Sequence, residues 1–243
     1  MEAAEYRKMA AVEDAMWWYR ALRANLLAQL GKTVARKSTL VLDAGCGTGG
    51  MLASLRQAGI AAIGLELDAD AARVARDKGG SPVVVGSIGA LPFADQIFDA
   101  VVSADVLCHG GVDEARSLAE MRRCLKPGGA LLLNLPAYGW MLSDHDRAVD
   151  NVRRYTRGGL VRLLARAGFA EISGTYWNTL LWPLMVARRK LLSAASGGSD
   201  VRPFPGPVDF LFRFLTGLET SWLRCGWSLP FGGSVLIKAV KHG

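Results

Sequence analysis

Apolar positions change their period along this chain. In the first forty residues Met16, Trp17, Leu22, Leu26, Leu27 and Leu30 recur at helical spacing until Gly31 breaks the pattern. From Thr39 the apolar residues arrive as short continuous runs. Leu40–Leu42, Ile60–Leu65, Pro82–Val85, Phe98–Ser103 and Ala130–Leu135 predict strands, and the amphipathic stretches Gly49–Ala58, Ala69–Lys78 and Asp113–Leu125 predict helices between them. Continuous rather than alternating hydrophobicity means strands covered on both faces, hence a mainly parallel, doubly wound sheet with right-handed crossovers. A polar loop, Pro136–Arg157, leads to a predicted helix, Gly158–Ala167, and a strand, Ala170–Trp177. The chain closes on a strand-like Ser234–Val240.

Between those last two strands lie roughly fifty-five residues that fit no simple strand–helix alternation, and segments that long are functional or separately folded. Trp182, Phe204, Phe210, Phe212, Phe214, Trp222 and Trp227 are mixed there with Arg188, Arg189, Lys190, Arg202, Arg213 and Arg224. The Pro203–Pro207 stretch reads as stiff and non-helical, and Ser193–Ser199 is a short low-complexity tract.

Composition narrows the class. With 51% apolar residues in 243, the chain can build a real core, which excludes wholesale disorder. No apolar run reaches the ~18 residues of a membrane span, and an N-terminus carrying Glu2 and Glu5 does not read as a signal peptide. Cys46, Cys108, Cys124 and Cys225 form no CxxC pair, so no disulfide framework or zinc site is expected, and a cytoplasmic, reducing setting is. The net charge of +7 is unevenly spread: residues 1–150 carry 16 basic and 18 acidic side chains, residues 151–243 carry 13 and 4.

The chemistry begins at Val41-Leu42-Asp43-Ala44-Gly45-Cys46-Gly47-Thr48-Gly49-Gly50, which joins the first strand to its helix. Such glycines turn the backbone tightly and let a ligand approach it without meeting a Cβ. Gly45, Gly47 and Gly50 satisfy a dinucleotide fingerprint, but Asp43 would oppose a pyrophosphate and suits an ammonium or sulfonium. Glu66, at the end of the second strand, fits the ribose hydroxyls of either ligand.

This stretch resembles the first motif of class I S-adenosylmethionine-dependent methyltransferases, of a type 11-like subgroup. The resemblance continues through Gly64-Leu65-Glu66, Gly86-Ser87-Ile88-Gly89-Ala90-Leu91-Pro92-Phe93, Phe98-Asp99-Ala100-Val101-Val102 and Leu125-Lys126-Pro127-Gly128-Gly129. It implies a Rossmann-like, seven-stranded sheet with an antiparallel last strand. It implies S-adenosylmethionine as cofactor, bound by Asp43, Gly45, Cys46, Gly47, Gly49, Glu66, Leu67, Ser87, Ile88 and Asp105, with Arg23 reaching in from the N-terminal segment. The family usually has an acid where Ser87 stands, and serine still accepts a hydrogen bond there.

Ligands in open α/β sheets lie beyond the carboxyl ends of the strands, which points to Ser103–His109 and Asn134–Tyr138 for the acceptor. His109 suits a base near neutrality, or else caps a helix or touches the cofactor. His145 has Asp144 and Asp146 beside it to orient the ring, or is a solvated loop residue. The segment Asp150-Asn151-Val152-Arg153-Arg154-Tyr155-Thr156 resembles a His-x-Arg-Arg-Tyr element of one subgroup, with Asn151 in place of its histidine, and Trp17-Trp18-Tyr19 resembles that subgroup's opening. Arg153 and Arg154 suit an anionic acceptor or neutralise the loop's aspartates. Tyr155 closes the pocket or packs. Trp17 and Trp18 adjoin, so one is expected in the core and the other over a ligand. Trp18, Tyr19 and Tyr138 complete the acceptor candidates, with His109, His145, Asp146 and Tyr155 as the catalytic ones. No metal-ligand cluster stands out.

The organisation expected is an N-terminal helical lid (1–38), a Rossmann-like core (39–178 and 232–243) and an aromatic, basic insert (179–231) over the acceptor side. The activity expected is methyl transfer to a small, apolar or lipid-like acceptor, its reacting atom undetermined. The alternative is a non-methylating member of the fold that binds the cofactor as a ligand-binding or rearrangement protein. The basic aromatic half is read against nucleic acid, for want of any recognised RNA-binding module. Peripheral membrane contact, a greasy acceptor or dimer surface (hence monomer or homodimer), and extra core remain open.

Overall fold

The computed structural model describes residues 3–31, 39–191 and 204–242. The Ser193–Ser199 tract, Arg202 and Pro203 lie outside the described residues, as do the side chains of Arg188, Arg189 and Lys190.

Two N-terminal helices, α1 (Ala3–Val12) and α2 (Trp17–Gly31), precede the sheet. The apolar runs become β1 (Leu40–Ala44), β2 (Ala61–Glu66), β3 (Val83–Val85), β4 (Phe98–Ala104) and β5 (Leu125–Pro136). The amphipathic stretches become α3 (Gly50–Gln57), α4 (Ala69–Gly79) and α5 (Glu114–Cys124). Asp68 and Asp113 accept from the backbone N–H groups of Ala71 and Arg116, capping α4 and α5. Asp113 therefore stands just outside the helix that periodicity alone starts at that residue.

The sheet order is β3-β2-β1-β4-β5-β7-β6, where β6 is Phe169–Trp177 and β7 is Ser234–Lys241. β1 to β5 pair in parallel, while β7 runs antiparallel to both β5 and β6. The expected doubly wound, seven-stranded sheet with its reversed last strand is the observed one. Two apolar layers cover it, one around Leu65, Phe98, Met121, Leu133 and Leu164, the other around Leu26, Leu30, Leu52, Leu132 and Trp177. Continuous strand hydrophobicity is the sequence trace of those two layers.

The polar loop after β5 is more ordered than its composition predicts. It holds a 3-10 turn at Gly139–Met141 and a short helix, α6 (Asp144–Ala148), before α7 (Arg157–Arg166). Beyond β6, the segment that fits no simple alternation contains α8 (Trp182–Leu191) and α9 (Gly206–Arg224). Helix α9 packs along α2, where Phe212 meets the Trp17 ring edge-on at 5.4 Å between centroids. The N-terminal helices and the late insert thus form one flank of the molecule although nearly two hundred residues separate them in the chain.

Candidate active site

β1 ends between β2 and β4, with Asp43 in register with Gly64 and Val102, so the loop after it leaves from the centre of the sheet. The backbone N–H groups of Gly45 and Cys46 both donate to the Leu65 carbonyl, and Gly45 takes a φ of +84° that a side chain would strain. Gly49 has a different reason to be glycine: a Cβ there would lie 2.7 Å from the Ala75 backbone of α4. It does not line the cavity described below. Its expected place among the cofactor contacts is corrected to a close crossing of α3 and α4.

At the mouth of this loop sit two carboxyl groups that burial raises. Asp43 is 3% exposed, and its Oδ2 has no hydrogen-bond partner. Desolvation, with Glu66 and Glu13 adding negative charge nearby, pushes its pKa up to about 7. Asp105, just beyond β4, has a φ of +55° and is held at 3.1 and 3.2 Å by the Asn134 amide. Burial raises it to about 7 as well, against the opposing pull of Arg154. Glu66, in contrast, is saturated with donors: Tyr6 Oη at 2.8 Å and the N–H groups of Leu67 and Asp68 on Oε1, and the Gly47 N–H on Oε2.

A cavity of about 1060 Å³ opens from the loop. One end is lined by Asp43, Gly45, Cys46, Gly47, Glu66, Leu67, Ser87, Ile88 and Asp105. The Ser87 hydroxyl accepts from the Gly89 N–H, and Ile88 is buried. This end fits a nucleoside bearing a cationic amino-acid arm. Asp43, with its unpartnered oxygen, the Glu66 carboxylate and Ile88 line this end. Burial pushes the Cys46 thiol up, so it stays neutral there.

The other end is apolar, walled by Trp17, Trp18, Leu181, Leu184, Met185 and Phe212 from α2, the segment leading into α8, α8 itself and α9. The sequence predicts that one of the two adjacent tryptophans turns to the core and the other to a ligand, but both line the cavity. Trp17 is braced by Phe212, while Trp18 leans on the buried Trp177 at 5.8 Å. Tyr19 and Arg23 also line it, and Arg23 donates to the Glu13 carbonyl at 2.8 Å, tying α2 to the end of α1.

Of the expected catalytic groups, His109 and His145 reach the cavity. His109 Nδ1 is buried without a partner, and the backbone at Asp150 and Val149 accepts from the ring, which leaves Nδ1 as the unprotonated nitrogen. Burial lowers its pKa below the ordinary histidine value, so the ring is neutral near pH 7.

Five expectations are corrected. Asp146 is fully buried and gives its oxygens to Arg154 at 3.0 Å and to the Ser143 N–H and hydroxyl at 2.9 Å, so it caps α6 and has nothing left for a substrate proton. Arg154 reaches the cavity wall but is consumed by Asp146 and the Ala137 carbonyl. Arg153 donates to the carbonyls of His109 and Val112 and pairs with Glu114, bracing the loop that carries His109 without lining the cavity. Tyr155 bonds Leu107 and Glu114 through its hydroxyl, and Tyr138 stacks between Tyr176 and Trp140. Neither lines the cavity.

Sequence reasoning missed Tyr6 and Glu13. Tyr6 lies sixty positions from Glu66. Glu13 binds Thr48 and Lys78 across gaps of 35 and 65 residues, and no local spacing signals such a contact. Among the described residues, no three His, Cys, Asp or Glu side chains gather as a metal site.

Comparison with known proteins places this geometry. Residues 42–133 match the model of a methyltransferase domain family. A Mus musculus protein named "Probable tRNA methyltransferase 9B" is 34% identical over 117 residues, covering 47% of this chain and 25% of that protein. The malonyl-[acyl-carrier protein] O-methyltransferase of Pseudescherichia vulneris is 36% identical over 131 residues, 52% of this chain and 50% of that one. The chain thus spans half or less of the length of these two curated relatives. Among solved structures, a Haloferax volcanii methyltransferase in complex with the Trm112 activator superposes with a TM-score of 0.63 at 22% identity, covering 98% of both chains. The Haemonchus contortus phosphoethanolamine N-methyltransferase 2 bound to S-adenosyl-L-methionine superposes at 0.59 and 18%, covering 90% of this chain and 52% of that one. Likeness at that identity shows a shared fold.

Proposed function

We propose that this chain, whose residues 42–133 are an S-adenosylmethionine-dependent methyltransferase domain on the class I fold, transfers a methyl group to an apolar, lipid-like acceptor. The single observation that carries the acceptor class is the composition of the cavity. It runs from the glycine loop to a wall of tryptophan, leucine, methionine and phenylalanine, and its volume of about 1060 Å³ stands at the upper end for small-molecule sites, room for a donor and a second molecule. Arg154, which reaches the cavity lining, is spent on Asp146 and so does not itself favour an ionic acceptor.

When bound, S-adenosylmethionine supplies an electrophilic methyl on a sulfonium that leaves as a neutral thioether. Asp43 holds the ammonium of its amino-acid arm, Glu66 the ribose and Ile88 the adenine, with the backbone of Gly45, Cys46 and Gly47 beneath. Trp17, Trp18, Leu181 and Phe212 exclude water and orient the acceptor. Orientation of this kind supplies about 7–11 kcal/mol of a displacement barrier. His109 Nδ1 accepts the proton of an acceptor that must lose one. In this reading α1 and α2 act as a lid, with Tyr6 over the Glu66 carboxylate, and α8 and α9 cover the acceptor.

Incubation of the protein with donor labelled in its methyl group and a total lipid extract tests the assignment. Label is expected in the organic phase. Label confined to polar metabolites or to RNA overturns the acceptor class, and binding of S-adenosylhomocysteine without any transfer favours the non-methylating alternative. Substitution His109→Gln is expected to lower kcat by about 10²–10⁴-fold for an acceptor that must be deprotonated, with cofactor affinity unchanged. Full kcat in that variant removes His109 as the base.

A further inference from the structure

Helix α9 is apolar on two sides. Its protein-facing side carries Phe212 and Leu223 together with Thr216, Glu219 and Thr220, all buried. The two threonine hydroxyls donate to carbonyls one turn back, and Glu219 accepts from the Leu180 N–H at 2.6 Å. Its opposite side presents Phe210, Phe214, Leu218 and Trp222 at four-residue steps, 72%, 56%, 50% and 48% exposed. Four-residue spacing places these side chains in one band along the helix. Beyond the helix end, Trp227 is 62% exposed and meets Trp222 at 5.0 Å. A contiguous exposed apolar band of this kind marks an interaction surface.

The charge on the same helix identifies what covers the band. Neither acid of α9 stands free at the surface: Glu219 is buried, and Asp209 is paired with Arg213 at 2.6 Å. Arg224 is exposed at the helix end, and residues 151–243 hold 13 basic against 4 acidic side chains. The exposed charge at the end of the band is thus the Arg224 guanidinium, to which an anionic surface is complementary. Paired tryptophans beside arginine at the end of an apolar band suit the boundary between headgroups and acyl chains. No described helix is long and apolar enough to cross a membrane, so the contact is with the surface.

We infer that the outward face of α9 docks the protein on an anionic phospholipid bilayer. The same helix serves the site from its other side. Phe212, on the buried side of α9, lines the cavity, as does Leu184 of α8, which is 54% exposed. Docking through the outer side of α9 therefore brings the cavity lined by its inner side close to the bilayer and to an acceptor partitioned there. Docking with this purpose rests on the lipid-like acceptor proposed above.

Co-sedimentation of the full chain with phosphatidylcholine vesicles, with and without phosphatidylglycerol, tests the inference. The protein is expected to sediment with the anionic vesicles and to be released by salt. The double variant Phe214→Ser, Trp222→Ser is expected to lose about tenfold or more of that partitioning. Both positions are half exposed, and unchanged binding of S-adenosylhomocysteine verifies that the variant is folded. If wild type and variant sediment equally, if anionic vesicles bind no better than neutral ones, or if the wild type is instead a dimer that the double variant dissolves, the inference is overturned. Methyl transfer to a detergent-dispersed lipid extract separates the two proposals. It is retained in the double variant if only docking is lost, and it is absent from the wild type if the acceptor class itself is wrong.

Discussion

Asparagine in place of Asp43 is expected to make the protein more stable and nearly unable to bind its cofactor. The side chain is 3% exposed, one of its oxygens has no partner, and burial raises its pKa to about 7. An unfolded aspartate titrates near 3.9. The folded state therefore binds the proton more tightly. Stability from this group is fully present below the unfolded pKa and is lost as pH rises toward and through about 7. A difference of about three units sets an upper bound of roughly 4 kcal/mol on the penalty at neutral pH. The neutral amide removes most of it, so the melting temperature of Asp43→Asn should exceed that of the wild type at pH 7 and the gap should close in acid. Binding moves the other way. A charge-assisted hydrogen bond contributes about 1.5–3 kcal/mol, so calorimetry with S-adenosylhomocysteine should show a Kd raised by about 10–10²-fold. In the wild type, affinity should weaken as pH falls below 7, where the carboxylate is protonated. Wild-type affinity in the variant, or a lower melting temperature, would count against Asp43 as the ammonium partner.

The second large effect concerns a residue with chemical potential but no free atoms. Asp146→Ala strands the Arg154 guanidinium, whose side chain is 3% exposed, beside an empty space and removes the cap of α6. Breaking a buried pair in this way costs about 3–5 kcal/mol. In a chain of this size that lowers the melting temperature by roughly 6–20 °C. The double substitution Asp146→Leu, Arg154→Met should recover much of the loss, because no uncompensated charge remains. A catalytic aspartate would behave otherwise: its alanine variant would melt like the wild type and fail only in turnover. Thermal melts of the three proteins decide between the two roles.

The two residues mark how far the sequence can be read. Asp43 is recognisable from its place two residues before a glycine-rich turn, because the geometry it serves is local: strand, turn and helix within ten residues. Asp146 and Arg154 look equally chemical in the sequence. They lie eight positions apart in a loop whose path is set by contacts with Ala137 and Ser143, and whether such a pair faces a ligand or each other depends on how the loop closes. Tyr155 and Arg153 follow the same rule. Each is polar and close to the expected acceptor region, yet each is turned to brace the loop that carries His109. His109 shows the opposite outcome: the sequence singles it out as a base near neutrality, and the structure keeps it on the cavity lining with Nδ1 unpartnered.

By itself the sequence determined the strands of the sheet, its two covered faces and the glycine loop with Asp43 and Glu66, each written in periodicity or in spacings of a few residues. The reversed last strand was implied by the resemblance to class I methyltransferases. Only the tertiary structure decided that Tyr6 and Glu13 reach the cavity beside Glu66, that both adjacent tryptophans wall the cavity, that the arginine-rich loop is internal bracing, and that α9 turns Thr216, Thr220 and Phe212 inward and Phe210 and Phe214 out. Periodicity reports that a helix has two unlike faces and not which one the rest of the chain covers. That choice was made by α2, whose packing against α9 spans nearly two hundred residues, and by Leu180, whose N–H draws Glu219 inward.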